Sequence, residues 1–85
     1  MEEKIKHITY MMDLLIEDNT IPRNIRKAVS EAKEKLLSEG DPTVNIASAI
    51  YILDEISNDI NMPLHARTDI WNIISELEKL KEEIR

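Results

Sequence analysis

The chain has no cysteine, no phenylalanine, one glycine and three prolines in 85 residues. Each shortage excludes something. Without cysteine there is no disulfide, no thiolate metal site and no cysteine nucleophile. With Gly40 as its only glycine, the chain cannot build a glycine-rich phosphate loop. So few loop-forming residues point to a chain that is almost all helix. Aromatic residues are limited to Tyr10, Tyr51 and Trp71, so Ile, Leu, Met, Val and Ala must supply the core. No apolar run approaches the roughly 20 residues needed to span a bilayer. The first residues carry charge at Glu2, Glu3, Lys4 and Lys6, unlike a secretory signal. The expectation is a single cytoplasmic domain over residues 1–85 with no membrane partner.

Positive charge is scarce as well. Residues 1–42 hold seven Lys and Arg against nine Asp and Glu, and residues 43–85 hold four against eight, for a net charge of −6. A protein that grips a phosphate backbone needs a cationic surface to displace counterions. The balance here argues against nucleic acid as a partner.

What the chain does have is an internal echo. At an offset of 41 residues, Ile5, Tyr10, Asp13, Asp18, Pro22, Arg26 and Leu36 fall on Ile46, Tyr51, Asp54, Asp59, Pro63, Arg67 and Leu77. Apolar pairs keep the same register, among them Met12 with Leu53 and Val29 with Ile70. Each half reads as a helix, an acidic turn and a helix begun by proline. The expected fold is all-α, a four-helix up-and-down bundle built from two pseudo-repeated hairpins that cover each other's apolar faces.

The four helices can be placed by their punctuation. A first helix over about 3–17 shows Ile5, Ile8, Met12 and Leu15 at helical spacing. A second begins near Pro22, where a missing N–H costs nothing, with Thr20 as its capping oxygen, and ends at Gly40. A third starts at Asp41-Pro42 and is apolar on most sides, with five apolar residues in a row from Ala49 to Leu53. Such a helix is central in its fold or is buried by a partner. A fourth starts near Pro63 and runs to the end; Ile70, Ile73, Leu77, Leu80 and Ile84 form a sustained seam. Its last turns, Lys79 to Arg85, have no counterpart in the second helix and form an overhang that frays or packs on something else.

Candidate sites are few. Asp13, Asp18 and Arg26, and their echoes Asp54, Asp59 and Arg67, suggest structural ion pairs bracing each hairpin, because an Arg near a helix start is opposed by the helix dipole. Arg23, Arg26 and Lys27 form the one local excess of positive charge, a candidate anion contact that a solvated helix face would equally explain. Glu3/His7 and His65/Asp69 are each four residues apart, a spacing more typical of surface polar pairs than of a metal site, and no cofactor is expected. The five serines sit in no nucleophile motif, so the chain reads as a non-enzyme. Tyr10, Met11, Leu14, Tyr51, Ile52 and Trp71 lie beside the core stripes and form a candidate interaction surface, since Tyr, Trp and Met are favoured at interfaces.

Two resemblances follow from particular strings. Asp41-Pro42-Thr43-Val44 with Ile46-Ala47, Ala49 and Leu53 resembles the start of the second helix of a HEAT-type repeat. Ile21-Pro22-Arg23-Asn24-Ile25-Arg26-Lys27-Ala28-Val29, Leu53-Asp54-Glu55-Ile56-Ser57-Asn58-Asp59 and Asn61-Met62-Pro63-Leu64-His65-Ala66-Arg67-Thr68 resemble a small archaeal family of uncharacterised proteins about as long as this chain. That second resemblance covers nearly the whole chain and implies an archaeal cytosolic four-helix protein. It implies no activity, ligand or functional residue. The functional expectation is a non-catalytic protein–protein interaction or self-association module, a dimer being the simplest homo-oligomer, acting through the apolar flank of the first and third helices and the end of the fourth. The alternative is a weak nucleic-acid or ribonucleoprotein binder using Arg23, Arg26 and Lys27.

Overall fold

Four helices make up the fold: α1 (Glu2–Ile16), α2 (Arg23–Leu37), α3 (Pro42–Ile56) and α4 (Leu64–Glu83). The structure is a computed structural model and describes residues 2–84. Each helix follows from an apolar stripe at helical spacing and from the residues that end it. Asp41 caps α3 by accepting from the Thr43 amide at 2.9 Å, and Pro42 occupies the first turn. Pro22 and Pro63 stand one residue earlier than a first-turn proline would. Both occupy the N-cap in an extended conformation, and neither helix has a side-chain cap. Thr20 does not cap α2 as expected, because its amide and hydroxyl both donate to Asp18 Oδ1, at 2.9 and 2.6 Å. At the other end of α2, Ser38 is already extended, and Gly40 turns the chain into α3 at φ +111°, a conformation that costs glycine little.

The helices form a closed ring. α1 packs on α2 and α4, α3 packs on α2 and α4, and the backbones of the diagonal pairs α1/α3 and α2/α4 stay apart across the shared core. The α2/α3 pair is the most extensively packed, although it spans the two predicted hairpins rather than lying within one. Cross-helix contacts establish the antiparallel course. Lys4 near the start of α1 pairs with Glu83 at the end of α4, while Asp18 just past α1 reaches His65 at the start of α4. Closure of α1 on α4 makes a bundle, not an open repeat stack.

The core runs the length of the ring. Met12, Val29, Ala32, Ala49, Leu53, Ala66, Ile70, Ile73 and Leu77 are fully buried, and among the described residues no polar side chain is buried with them. Each large side chain taken from water contributes about 1.5–3 kcal/mol. Burial keeps the 41-residue register: 16–26 and 57–67 run through the same order of exposed, half-buried and buried positions. The expected overhang of α4 is instead part of the bundle. Leu80 is buried, Ile84 packs against the core, and Glu83 is held by Lys4. Arg85, its last residue, lies outside the described residues.

Candidate interaction surface

The outward side of α3 carries apolar surface beside a groove. Ile46, Ala49, Ile50 and Leu53 point inward and are buried. That leaves Val44 and Tyr51 58% and 66% exposed on the other side. Between them Ala47, Ser48 and Ile52 are half-buried, and with Lys35 of α2 they line a shallow groove of about 480 Å³. Small side chains at the centre and large ones at the rim make the groove. Trp71 is exposed on the neighbouring helix α4.

The sequence-based surface does not assemble as one patch. Tyr10 and Leu14 are exposed on α1, and Met11 is half-buried against the core. Because α1 and α3 occupy diagonal corners, this patch is separate from Tyr51 and Ile52. The end of α4 drops out too, since its apolar residues pack inward. Leu37 at the end of α2 and Ile60 in the turn between α3 and α4, the latter 92% exposed, escaped the sequence reading, and Leu64 at the start of α4 is exposed as well. The echo contained a signal for them, because the counterparts of all three are the polar Glu78, Asn19 and Arg23.

The acidic turns are built alike, though not as ion pairs with arginine. Arg26 Nε donates to the Ile21 carbonyl at 2.9 Å. Arg67 donates from Nη1 to the Ser57 carbonyl and from Nη2 to the Asp59 carbonyl, the latter at 3.0 Å. Among the described residues no carboxylate lies within ion-pair range of either guanidinium. Carbonyls at a helix end and turn lack intrahelical partners, and they carry the partial negative charge that the arginines neutralise. The aspartates bond elsewhere. Asp13 pairs with Lys33 of α2 at 2.6 Å, Asp54 is exposed, and Asp18 and Asp59 each close their own turn.

Asp18 and Asp59 also reach across to the other half of the chain. Asp18 Oδ2 lies 3.0 Å from His65 Nε2, and Asn24 Nδ2 donates to Asp59 Oδ2 at 2.8 Å. Hydrogen bonds from the Thr20 hydroxyl and amide, then from His65, hold the Asp18 carboxyl at a pKa of about 2, below its ordinary 3.8. The Asn61 amide and then the Asn24 side chain lower that of Asp59.

The remaining candidates do not converge. Arg23 and Lys27 are exposed, but Arg26 is half-buried and committed to Ile21. Glu3 and His7 line a groove of about 300 Å³ between α1 and α4, where Lys4–Glu83 and Lys79–Glu76 pairs offset charge locally. His65 is engaged by Asp18 rather than by Asp69. Among the described residues, no three His, Asp or Glu side chains are grouped to hold a metal ion, and no helix is long and apolar enough to cross a membrane.

These features define a short all-helical bundle protein. The chain belongs to the group described as Uncharacterised protein family (UPF0147), which its residues 1–80 match. It is 59% identical over 81 residues to UPF0147 protein MJ1419 of Methanocaldococcus jannaschii, covering 94% of this chain and 87% of that one. It is 47% identical over 81 residues to a UPF0147 protein of Methanothermobacter thermautotrophicus, covering 94% and 79%. The bundle is similar to two crystal structures. One, of the unknown-function protein MMP1188, has a TM-score of 0.87 at 50% identity, covering 91% of this chain and 89% of that one. The other, a UPF0147 protein from Thermoplasma acidophilum, has a TM-score of 0.87 at 39% identity, covering 93% and 94%.

Proposed function

We propose that this chain is a non-catalytic protein–protein interaction or self-association module of the cytoplasm, and that the outward side of α3 is its contact surface. The observation that carries this reading is the double-sided α3. One face fills the core, while Val44 and Tyr51 hold the other open to water beside a groove lined by Ala47, Ser48 and Ile52. Exposing that face costs solubility unless something covers it. Nucleic-acid binding through the start of α2 is less well supported, because Arg26 is tied to a carbonyl and only Arg23 and Lys27 of that cluster are left exposed, on an acidic chain.

A photo-cross-linking residue at Tyr51, expressed in the natural host, tests the reading. It should give discrete adducts that the same residue at Lys79, on the α1 side of α4, does not. Equal labelling at the two positions, or none at either, would rule out the α3 surface.

A further inference from the structure

We infer that the partner covering α3 is a second copy of this chain, the two α3 helices packing antiparallel across a two-fold axis near Ala47 and Ser48. The inference rests on the interaction reading above and names the partner at the same surface. Three observations carry it.

The first is shape. On the outward side of α3, two small residues lie between Val44 on one side and Tyr51 and Ile52 on the other. In an antiparallel pair centred there, Val44 faces the partner's Tyr51, and Tyr51 faces the partner's Val44. The small side chains Ala47 and Ser48 then meet their own copies at the crossing point, where the two backbones can approach closely, and a Val44–Tyr51 pair closes each end. A two-fold contact has to be self-complementary, and this stripe is.

The second is charge. α3 carries no Lys or Arg, and its two acids, Asp54 and Glu55, are both exposed near its C-terminal end. The cation of the groove, Lys35, comes from α2, which runs antiparallel to α3, so it stands toward the N-terminal half of α3. Parallel pairing would stack acid on acid. Antiparallel pairing takes Asp54 and Glu55 away from their own copies and brings each Lys35 toward the partner's Glu55, one turn beyond the partner's Tyr51, where it also offsets the exposed Glu39 and Asp41 of its own chain. Such complementarity selects orientation and suppresses wrong pairings.

The third is area. A stable interface takes about 800 Å² from each partner, about a seventh of the 5438 Å² surface of this chain. One helix face is too small for that. Exposed Lys35 on α2 and Trp71 on α4, the two helices that flank α3, are available to widen the contact.

The test uses mass by light scattering after size exclusion, from micromolar to millimolar concentration, on the full chain and on two charge reversals of exposed residues. The wild type should run at twice its monomer mass. Lys35→Glu alone and Glu55→Lys alone should run as monomers, because each places like charges opposite each other in its own homodimer. Mixing the two variants should restore the doubled mass, since only the mixed pair puts opposite charges together at both ends. A wild-type dimer that neither reversal weakens overturns the α3 pairing. Single reversals that dissociate but do not recombine on mixing also overturn it. A wild type that stays monomeric throughout overturns the second copy as partner, whereas the wider interaction reading is decided separately by cross-linking at Tyr51.

Discussion

Asp18 accepts a hydrogen bond from His65 across 3.0 Å, and the positions 41 residues on from Asp18 and 41 back from His65 make the matching contact, Asn24 to Asp59 at 2.8 Å. An ionised carboxylate only accepts, so Nε2 of His65 is the donor in the first bond. Each half of the chain thus offers a turn aspartate to the first turn of the other half's second helix. The two contacts tie the same end of the bundle together, on opposite sides of the ring.

The lowered carboxyl of Asp18 gives a signed pH prediction. Its pKa is about 2 in the fold against an ordinary 3.8. The unfolded chain therefore takes up the proton first as acid is added. The stability this carboxylate contributes is full above the ordinary value and is lost as pH falls from there toward 2. Urea melts across that range should fall less steeply for Asp18→Asn than for wild type. Identical slopes would mean that the Thr20 and His65 bonds do not favour the charged form. Asp59 is shifted in the same direction, so some acid sensitivity should remain in the variant.

The core stripe predicts a contrast along one helix. Leu53 is fully buried, while Tyr51 two residues earlier is 66% exposed. Leu53→Ala should cost about 2–5 kcal/mol through lost transfer energy and the cavity left behind. Tyr51→Ala, measured on dilute protein, should stay within about 0.5 kcal/mol of wild type. Comparable losses at both positions in denaturant melts would contradict the assignment of faces on α3.

The arginines predict that charge alone is insufficient. Arg67 spans two carbonyls, of Ser57 and Asp59, with two nitrogens of a planar fork. Lysine keeps the charge but not the fork. Arg67→Lys should cost about 1.5–3 kcal/mol, the scale of a hydrogen bond to a charged group. Arg26→Lys should cost less, since only Nε is bonded there. Equal costs in urea melts would point to simple charge effects at both sites.

These cases also mark how far the fold was legible in the sequence. Helix stripes depend on neighbours three and four residues apart, so Ile8, Met12 and Leu15 or Ile70, Ile73 and Leu77 could be read directly as core. Asp41-Pro42 likewise announced a helix start through local geometry. The partners of Arg26 and Arg67 were not legible, because a turn carbonyl and a turn carboxylate are equally near in sequence and only the backbone path decides between them. The reciprocal contacts of Asp18 and Asp59 join residues 47 and 35 positions apart, beyond any local pattern. The apolar surface was legible residue by residue but not as a patch. Whether Tyr10 and Tyr51 share a face depends on the order of helices around the ring, and α1 and α3 stand on its diagonal.

The turn between α2 and α3 predicts a cost that comes from the backbone alone. Gly40 sits at φ +111°, and a methyl group added there would meet nothing within 4 Å. Gly40→Ala therefore creates no clash, and any loss reflects the left-handed conformation itself, about 1–2 kcal/mol. Asparagine tolerates this region better than alanine, so Gly40→Asn should lose less. The two variants should order as Gly, Asn, Ala in thermal melts with helix content unchanged. If Ala matched Gly, the tight turn joining the best-packed pair of helices would not depend on a positive φ. If Asn were as costly as Ala, the local hydrogen bonding by which asparagine eases positive φ would give no relief at +111°.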